Sequence, residues 1–400
     1  MPQGGPALAG VRVLEVGHGL ASPYSGMQLA DMGARVIKVE NPAGGDMIRL
    51  TGPFVEGESA NYMRVNRNKH SLAMNLKAPE GKAILRRLVA DADIMLENFR
   101  PGTMADLGLD YPSLAHLNRR LIYVAASGWG QDGRRAALAG VDLMAQAMSG
   151  LMSIAGEPGR PPVAIGIPVC DLVTALYGTI AALAALHERA QSGLGQYIDV
   201  CLLETGVALS VLEAGTYFTT GEIPRPKGSA HQTNAPYQAV RAADGWFTIG
   251  ATSNPTWSAF CDAMGLQHLE RDTRFATNDL RRQNREELIG LIEEVTATAE
   301  RRHWIEVLEE AGVPCAPIRD YGQVFNDPEL NARGFFVDLP HSSAGAVRQA
   351  ASPMRFSRSQ TQLNWSGPRL GEHSLLILEE LGYTESERRR LVADGVVVVP

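Results

Sequence analysis

Cysteine is scarce: Cys170, Cys201, Cys261 and Cys315 are the only four in 400 residues, far apart and without a CxxC pair. That spacing excludes a disulfide framework and a cysteine-based zinc module. No HExxH or Cys/His ligand spacing is present either, so no metal site is expected. Basic residues are not in excess, with 37 Lys+Arg against 44 Asp+Glu. A net charge of −7 gives no general reason to expect nucleic acid or an anionic membrane as a partner. The start, Met1-Pro-Gln-Gly-Gly-Pro6, lacks the basic, apolar character of a secretory leader. The most apolar window, Leu172 to Leu186, is interrupted by Thr174, Tyr177, Gly178 and Thr179 and runs into His187-Glu188-Arg189. It reads as too short to span a bilayer. A soluble, cytoplasmic protein is the expectation.

The composition is 45% apolar and 20% charged, with 41 Gly and 23 Pro, which suits a loop-rich globular enzyme. Its length favours two domains. Alternation is clear early in the chain: strands at 11–16 and 35–39 flank a helix at 23–32. Helices at 79–90 and 111–117 then alternate with strands at 93–96 and 121–125. This is the pattern of a parallel, helix-flanked sheet. A helix from Asp171 to about Ala190 and a strand at 197–200 continue it. Past Gly221 to Gly228 the pattern changes to a hairpin around Asp244-Gly245 and amphipathic helices at 284–298 and 302–311. The resulting class is α/β, with boundaries at 1–200 for a large domain, 201–224 for a linker, 225–330 for a small α+β domain, 331–360 for a second linker and 361–400 for a return to the large domain. Thr384 and Glu387 form a capping-box signature for one last helix, closed near Gly395.

Gly17-His-Gly19-Leu-Ala-Ser22 lies between a strand and a helix, with Glu40 closing the next strand, and nearly matches a dinucleotide fingerprint. Ser22 stands where the third glycine or alanine is expected, and Pro23 follows it directly. The loop reads instead as a tight turn whose helix start, including Leu20 and Ala21, offers a cradle for some phosphorylated ligand.

Several segments in order along the chain carry a family likeness: Gly33-Ala-Arg-Val-Ile-Lys-Val-Glu40, Val65-Asn-Arg-Asn-Lys-His-Ser71, Glu97-Asn-Phe-Arg-Pro-Gly102, Ser127-Gly-Trp-Gly-Gln131, Gly166-Ile-Pro-Val-Cys-Asp171 and Gly312-Val-Pro-Cys-Ala-Pro317. Together they resemble the family III CoA-transferases of the CaiB/BaiF type. The resemblance implies a Rossmann-like large domain built from both ends of the chain and a ring-shaped subunit. It further implies an interlocked homodimer, no permanently bound cofactor, and coenzyme A, acyl-CoA and a carboxylic acid as substrates. It places CoA against Met74, Asn75, Leu76 and Lys77 and against Asn98, Phe99 and Arg100, where the cations suit phosphates and the apolar side chains suit adenine. The basic residues usual in the family are replaced at Asn41 and Asp106.

By the same resemblance Asp171 is the covalent carboxylate nucleophile. By position alone it reads as a helix N-cap, and a helix start would favour its ionised form. Cys170 reads as packing, and His18 and His231 stand out among the histidines by position. The segments at 54–59, 65–69 and 228–238 look most like the succinate–hydroxymethylglutarate branch, which implies a short dicarboxylate acceptor. Arg64, Arg67 or His231 could anchor its second carboxylate. The alternatives are an α-methylacyl-CoA racemase and a non-catalytic CoA-binding protein. Val141 stands where the racemase needs a histidine, and valine transfers no proton.

Overall fold

A computed structural model describes residues 4–400. They divide into two compact units. The first holds the described residues through Leu151, with Ile165–Ser210 and Pro328–Pro400; the second holds Met152–Ala164 and Val211–Asp327.

The first unit is built on a seven-stranded sheet. Its strands are β1 (Arg12–Glu15), β2 (Arg35–Glu40), β3 (Lys69–Met74), β4 (Ile94–Glu97), β5 (Ile122–Ser127), β6 (Tyr197–Cys201) and β7 (Val397–Val398). Their order is β7-β3-β2-β1-β4-β5-β6. All neighbours are parallel except β7, which closes antiparallel on β3 through Val397↔Met74. Strands buried on both faces explain the apolar runs in the sequence. On one face helices α1 (Ala21–Asp31) and α4 (Val169–Ser192) press Leu29, Ala30, Ala182 and Ala185 onto Val13, Val36, Ile94 and Val124. On the other, α2 (Pro79–Ala90) and the C-terminal helices bring Ile84, Leu85, Ile377 and Leu391 onto Leu14, Leu72, Met74 and Met95. Thr384 and Glu387 do form the capping box, and Gly395 is left-handed.

β1 is flanked by β2 and by β4, so successive connections leave it in opposite directions. This is a topological switch point, and it opens a crevice beyond the carboxyl ends of β1 and β4. The turns after those strands carry Gly17-His18-Gly19 and Asn98-Phe99-Arg100.

One sequence expectation is corrected in α4. The Thr and Gly residues that seemed to interrupt it are absorbed into a continuous 24-residue helix, long and apolar enough by composition to cross a membrane. Its small residues serve packing instead: Gly178 lies against Val124 and Ser25, and Ser25 Oγ and Thr179 Oγ1 are 3.0 Å apart. Arg189 near its end binds Asp93 at 2.6 Å.

The second unit has its own core. A three-stranded antiparallel sheet of Tyr237–Ala242, Gly245–Gly250 and Cys315–Pro317 packs Val240, Phe247 and Ile249 against Trp257, Phe260, Leu288 and Leu308 from its helices. The hairpin turn is Ala243-Asp244, and the Asp244 carboxylate receives the N–H of Arg301.

Candidate active site

A cavity of about 760 Å³ occupies the crevice at the switch point. Its walls come from the ends of β1 to β3 and the following turns: Val16 to His18, Val39 to Met47, Met74 to Lys77, Phe99, and Thr103, Asp106 and Leu107. Of the residues expected to hold CoA, the structure therefore brings Met74, Asn75, Leu76, Lys77 and Phe99 together in one wall. Asn41 and Asp106, the two departures from the basic pattern, line it as well. Asn98 does not line it, and its amide is engaged with the turn after β1: Oδ1 accepts from His18 N at 2.8 Å and Nδ2 donates to His18 O at 2.7 Å. Leu20 and Ala21 are also outside the wall. Leu20 precedes α1, and Ala21, the first residue of α1, is buried. Arg100 faces an adjoining cavity of about 420 Å³ with Glu97, Tyr111, Tyr123 and Tyr197. There burial pushes the Glu97 carboxyl up to about 7.

Beneath the first cavity lies a charge network that the sequence reading did not assign. Lys38 Nζ bonds Glu15 Oε1 at 2.6 Å and Gly17 O at 3.0 Å and pairs with Asp46 at 2.9 Å. Lys69 Nζ reaches the other Glu15 oxygen at 2.7 Å. Gly26 in α1 makes room for that carboxylate, since a Cβ there would lie 2.1 Å from Glu15 Oε2. Glu40 is saturated by Arg49 at 2.8 Å through two nitrogens, by Tyr62 OH and by Ser71 Oγ. It is not free to receive a ribose, which removes the acidic partner a dinucleotide site requires. The visible signal was the strand Arg35-Val-Ile-Lys-Val-Glu40: two charges, Lys38 and Glu40, on one face of a strand buried on both sides need partners.

Asp171 is the third residue of α4, with Pro168 in the N-cap position. The capping role falls to a carboxylate from another helix: Asp142, first residue of α3 (Asp142–Met148), accepts from Cys170 N at 2.8 Å and Asp171 N at 3.2 Å. Gln146 Nε2 donates to its second oxygen at 2.6 Å. The cap expected of Asp171 is thus made by Asp142. The pKa expectation is corrected too: burial and then the charge of Asp142 push Asp171 up to about 7, outweighing any benefit of the helix start. Asp171 is not among the residues lining the 760 Å³ cavity. Beside it Cys170 is fully buried, its thiol pushed up to about 11 by burial and by Asp142 and Asp171, as befits a packing residue.

The three candidate anchors for an acceptor carboxylate fare differently. Arg67 is corrected: its guanidinium binds both oxygens of buried Asp31 at 2.6–3.1 Å and donates to Ala350 O at 2.7 Å. A fork so engaged cannot grip a substrate. Arg64 is exposed and donates to Ala60 O at 2.7 Å. His231 belongs to the second unit, stacked on Tyr237 at 4.9 Å.

The model of CoA-transferase family III matches residues 8–374 of the chain. The chain belongs to that family. It is 40% identical over 388 residues, 95% of this chain and 97% of the other, to the succinate–glutarate CoA-transferase of Agrobacterium fabrum. It is 37% identical to the mouse succinyl-CoA:glutarate CoA-transferase, covering 98% and 90%. A CaiB/BaiF family protein from Brucella suis superposes with a TM-score of 0.84 at 39% identity, covering 94% of this chain and all of that one. Family membership makes the protein a transferase that uses CoA thioesters as substrates.

Proposed function

We propose that the enzyme moves CoA from an acyl-CoA thioester to a short dicarboxylate through covalent intermediates on Asp171. The observation that carries this reading is a half-buried carboxylate left free of its expected capping duty. Asp142 takes the helix N–H groups, and no hydrogen bond engages the Asp171 side chain among the described residues. Dicarboxylate donors and acceptors in the names of the Agrobacterium and mouse relatives support the substrate class.

In this mechanism an ionised Asp171 oxygen attacks the thioester carbonyl, the C–S bond breaks, and CoA leaves as a thiolate. The thiolate then attacks the aspartyl carbonyl of the mixed anhydride and releases the first acid, leaving an aspartyl–CoA thioester. The acceptor carboxylate runs the two steps in reverse. Splitting the exchange suits a reaction whose free carboxylates are poor acyl acceptors. The adenine end of CoA rests on Met74, Leu76 and Phe99, with Lys77 toward its phosphates.

The active form is read as an interlocked homodimer of ring-shaped subunits. In support, Val141, Met144 and Met148 around α3 and Leu176, Tyr177 and Ile180 on α4 leave large apolar side chains exposed, as faces that meet a partner do. Sedimentation at nanomolar concentration should find no folded monomer.

The deciding experiment offers a panel of acyl-CoA donors with carboxylate acceptors, reads exchange by mass spectrometry, and traps the adduct with hydroxylamine. Exchange between succinyl-CoA and dicarboxylates, with the adduct on Asp171, is the expected result. An adduct on Cys170, or exchange without any adduct, overturns it.

A further inference from the structure

The turn after β1 has the shape of a phosphate cradle, yet two of its N–H groups, those of His18 and Gly19, are occupied from within. His18 N donates to Asn98 Oδ1 at 2.8 Å, and Gly19 N donates to Asp46 Oδ1 at 2.9 Å. The carbonyl of Gly17 is held by Lys38 at 3.0 Å. Gly19 adopts the left-handed conformation, φ 74°. Gly17 admits no side chain, because a Cβ would lie 2.4 Å from Ser22 and 2.5 Å from Asn98 Oδ1. The turn is therefore locked in one geometry.

The Asp46 carboxylate sits where an anionic ligand of this turn would sit. It receives Gly19 N and, at 3.1 Å, Ile48 N, and it faces the Lys38 ammonium at 2.9 Å. Two backbone N–H groups and a lysine converging on two oxygens are the donor set of a bound phosphate. The residue is 3% exposed and lies in the wall of the 760 Å³ cavity. Its own N–H is held by Glu40 at 3.2 Å, so the loop that carries it is tied to β2.

We propose that Asp46 is a built-in occupant of the turn's anion site, a specificity-determining residue that bars phosphate groups from the turn. Phosphates of a CoA thioester are thereby confined to the outer part of the cavity, toward Lys77, and dinucleotides lose the contact on which they depend. Burial works against the ionised carboxylate, but Lys38 and the Gly19 N–H outweigh it and hold its pKa below the usual range, so the occupant is an anion under ordinary conditions. The placement of CoA rests on the proposed function; occupation of the turn by Asp46 does not.

The test is calorimetric titration of the full-length protein with inorganic phosphate. Asp46→Ser vacates the site while leaving Lys38, Gly19 N and Ile48 N in place, and it should bind phosphate at least about tenfold more tightly than the wild type. Asp46→Asn keeps an acceptor over Gly19 N without the charge and should show no such gain. Equal phosphate affinity in wild type and Asp46→Ser overturns the proposal. So does a gain in Asp46→Asn as large as in Asp46→Ser, which would assign the effect to charge and not to occupation. If Asp46→Ser does not fold, Asp46→Ala vacates the site in its place: a gain of the same size supports the proposal and unchanged phosphate affinity overturns it. The readout needs no turnover, so an enzyme inactive with every CoA thioester would defeat the proposed function and leave this result standing.

Discussion

The turn before α1 and the start of α4 in the first unit each give backbone N–H groups to a carboxylate from a distant segment, and two aspartates at these places, Asp46 and Asp171, have opposite fates. Asp46, at the first, has Lys38 at 2.9 Å and two backbone N–H donors, and is held below the usual carboxylate range despite burial. Asp171, at the second, has no cation. Its N–H donors are already taken by Asp142, and burial with that neighbouring charge raises it to about 7. Burial is common to both; the nearest charge decides the direction. A locked, satisfied carboxylate builds a wall, whereas an unsatisfied one is available to react.

The comparison breaks most completely at Asp171. Asp171→Asn should lower exchange by about four orders of magnitude or more, since the covalent pathway loses its nucleophile. The same variant should be more stable than the wild type at pH 8. A carboxyl whose folded pKa is raised binds its proton more tightly when folded, so its contribution to stability falls as pH climbs from about 4 to 7. Melting at pH 8 should show Asp171→Asn ahead by about 1–3 kcal/mol, with the gap closing near pH 4. A variant that is active, or equally destabilised at both pH values, removes the distinction drawn between the two aspartates.

At the other helix start, Lys38→Met deletes the cation that holds Asp46 and Glu15. Removing one partner of a buried ion pair should destabilise by about 3–5 kcal/mol, read as a lower denaturation midpoint in urea. A loss below about 1 kcal/mol would mean that the pair behaves like a surface one.

A finer probe is Asp142→Asn, which retains an acceptor for the α4 N–H groups but removes the like charge near Asp171. The Asp171 pKa should drop, and the acid limb of the pH–rate profile should move downward by about one unit or less. Burial is the larger cause of the shift, so a full return to the ordinary value is not expected; an upward move would refute the assigned coupling. The smallest effect belongs to Cys170→Ala. Exchange should stay within about twofold, because a thiol raised by burial supplies no thiolate. A loss comparable to that of Asp171→Asn would transfer the chemistry to the neighbour.

Much of the fold and part of the site are legible in the amino-acid order alone. The alternation of apolar segments with turns reports the parallel sheet, because strands buried on both faces must be apolar and helices must cross between them. Thr384 and Glu387 report their helix start, because a capping box is local. Ordered motifs mark Met74 to Lys77 and Phe99, which meet in one wall because strand order brings the ends of β3 and β4 to the same edge. Arg67, Asn98 and Arg100 show where such reading stops: nothing in the chain around Arg67 says that Asp31 will meet it. The pairing of Asp46 with Gly19, 27 residues away, and of Asp142 with Asp171, 29 residues away, is likewise invisible in linear order. Residue types and their periodicity determined the elements, since propensity and burial act along the chain. Which carboxylate is ionised, which caps and which is left to react was decided only by tertiary structure, because electrostatic interaction depends on distance and burial through space.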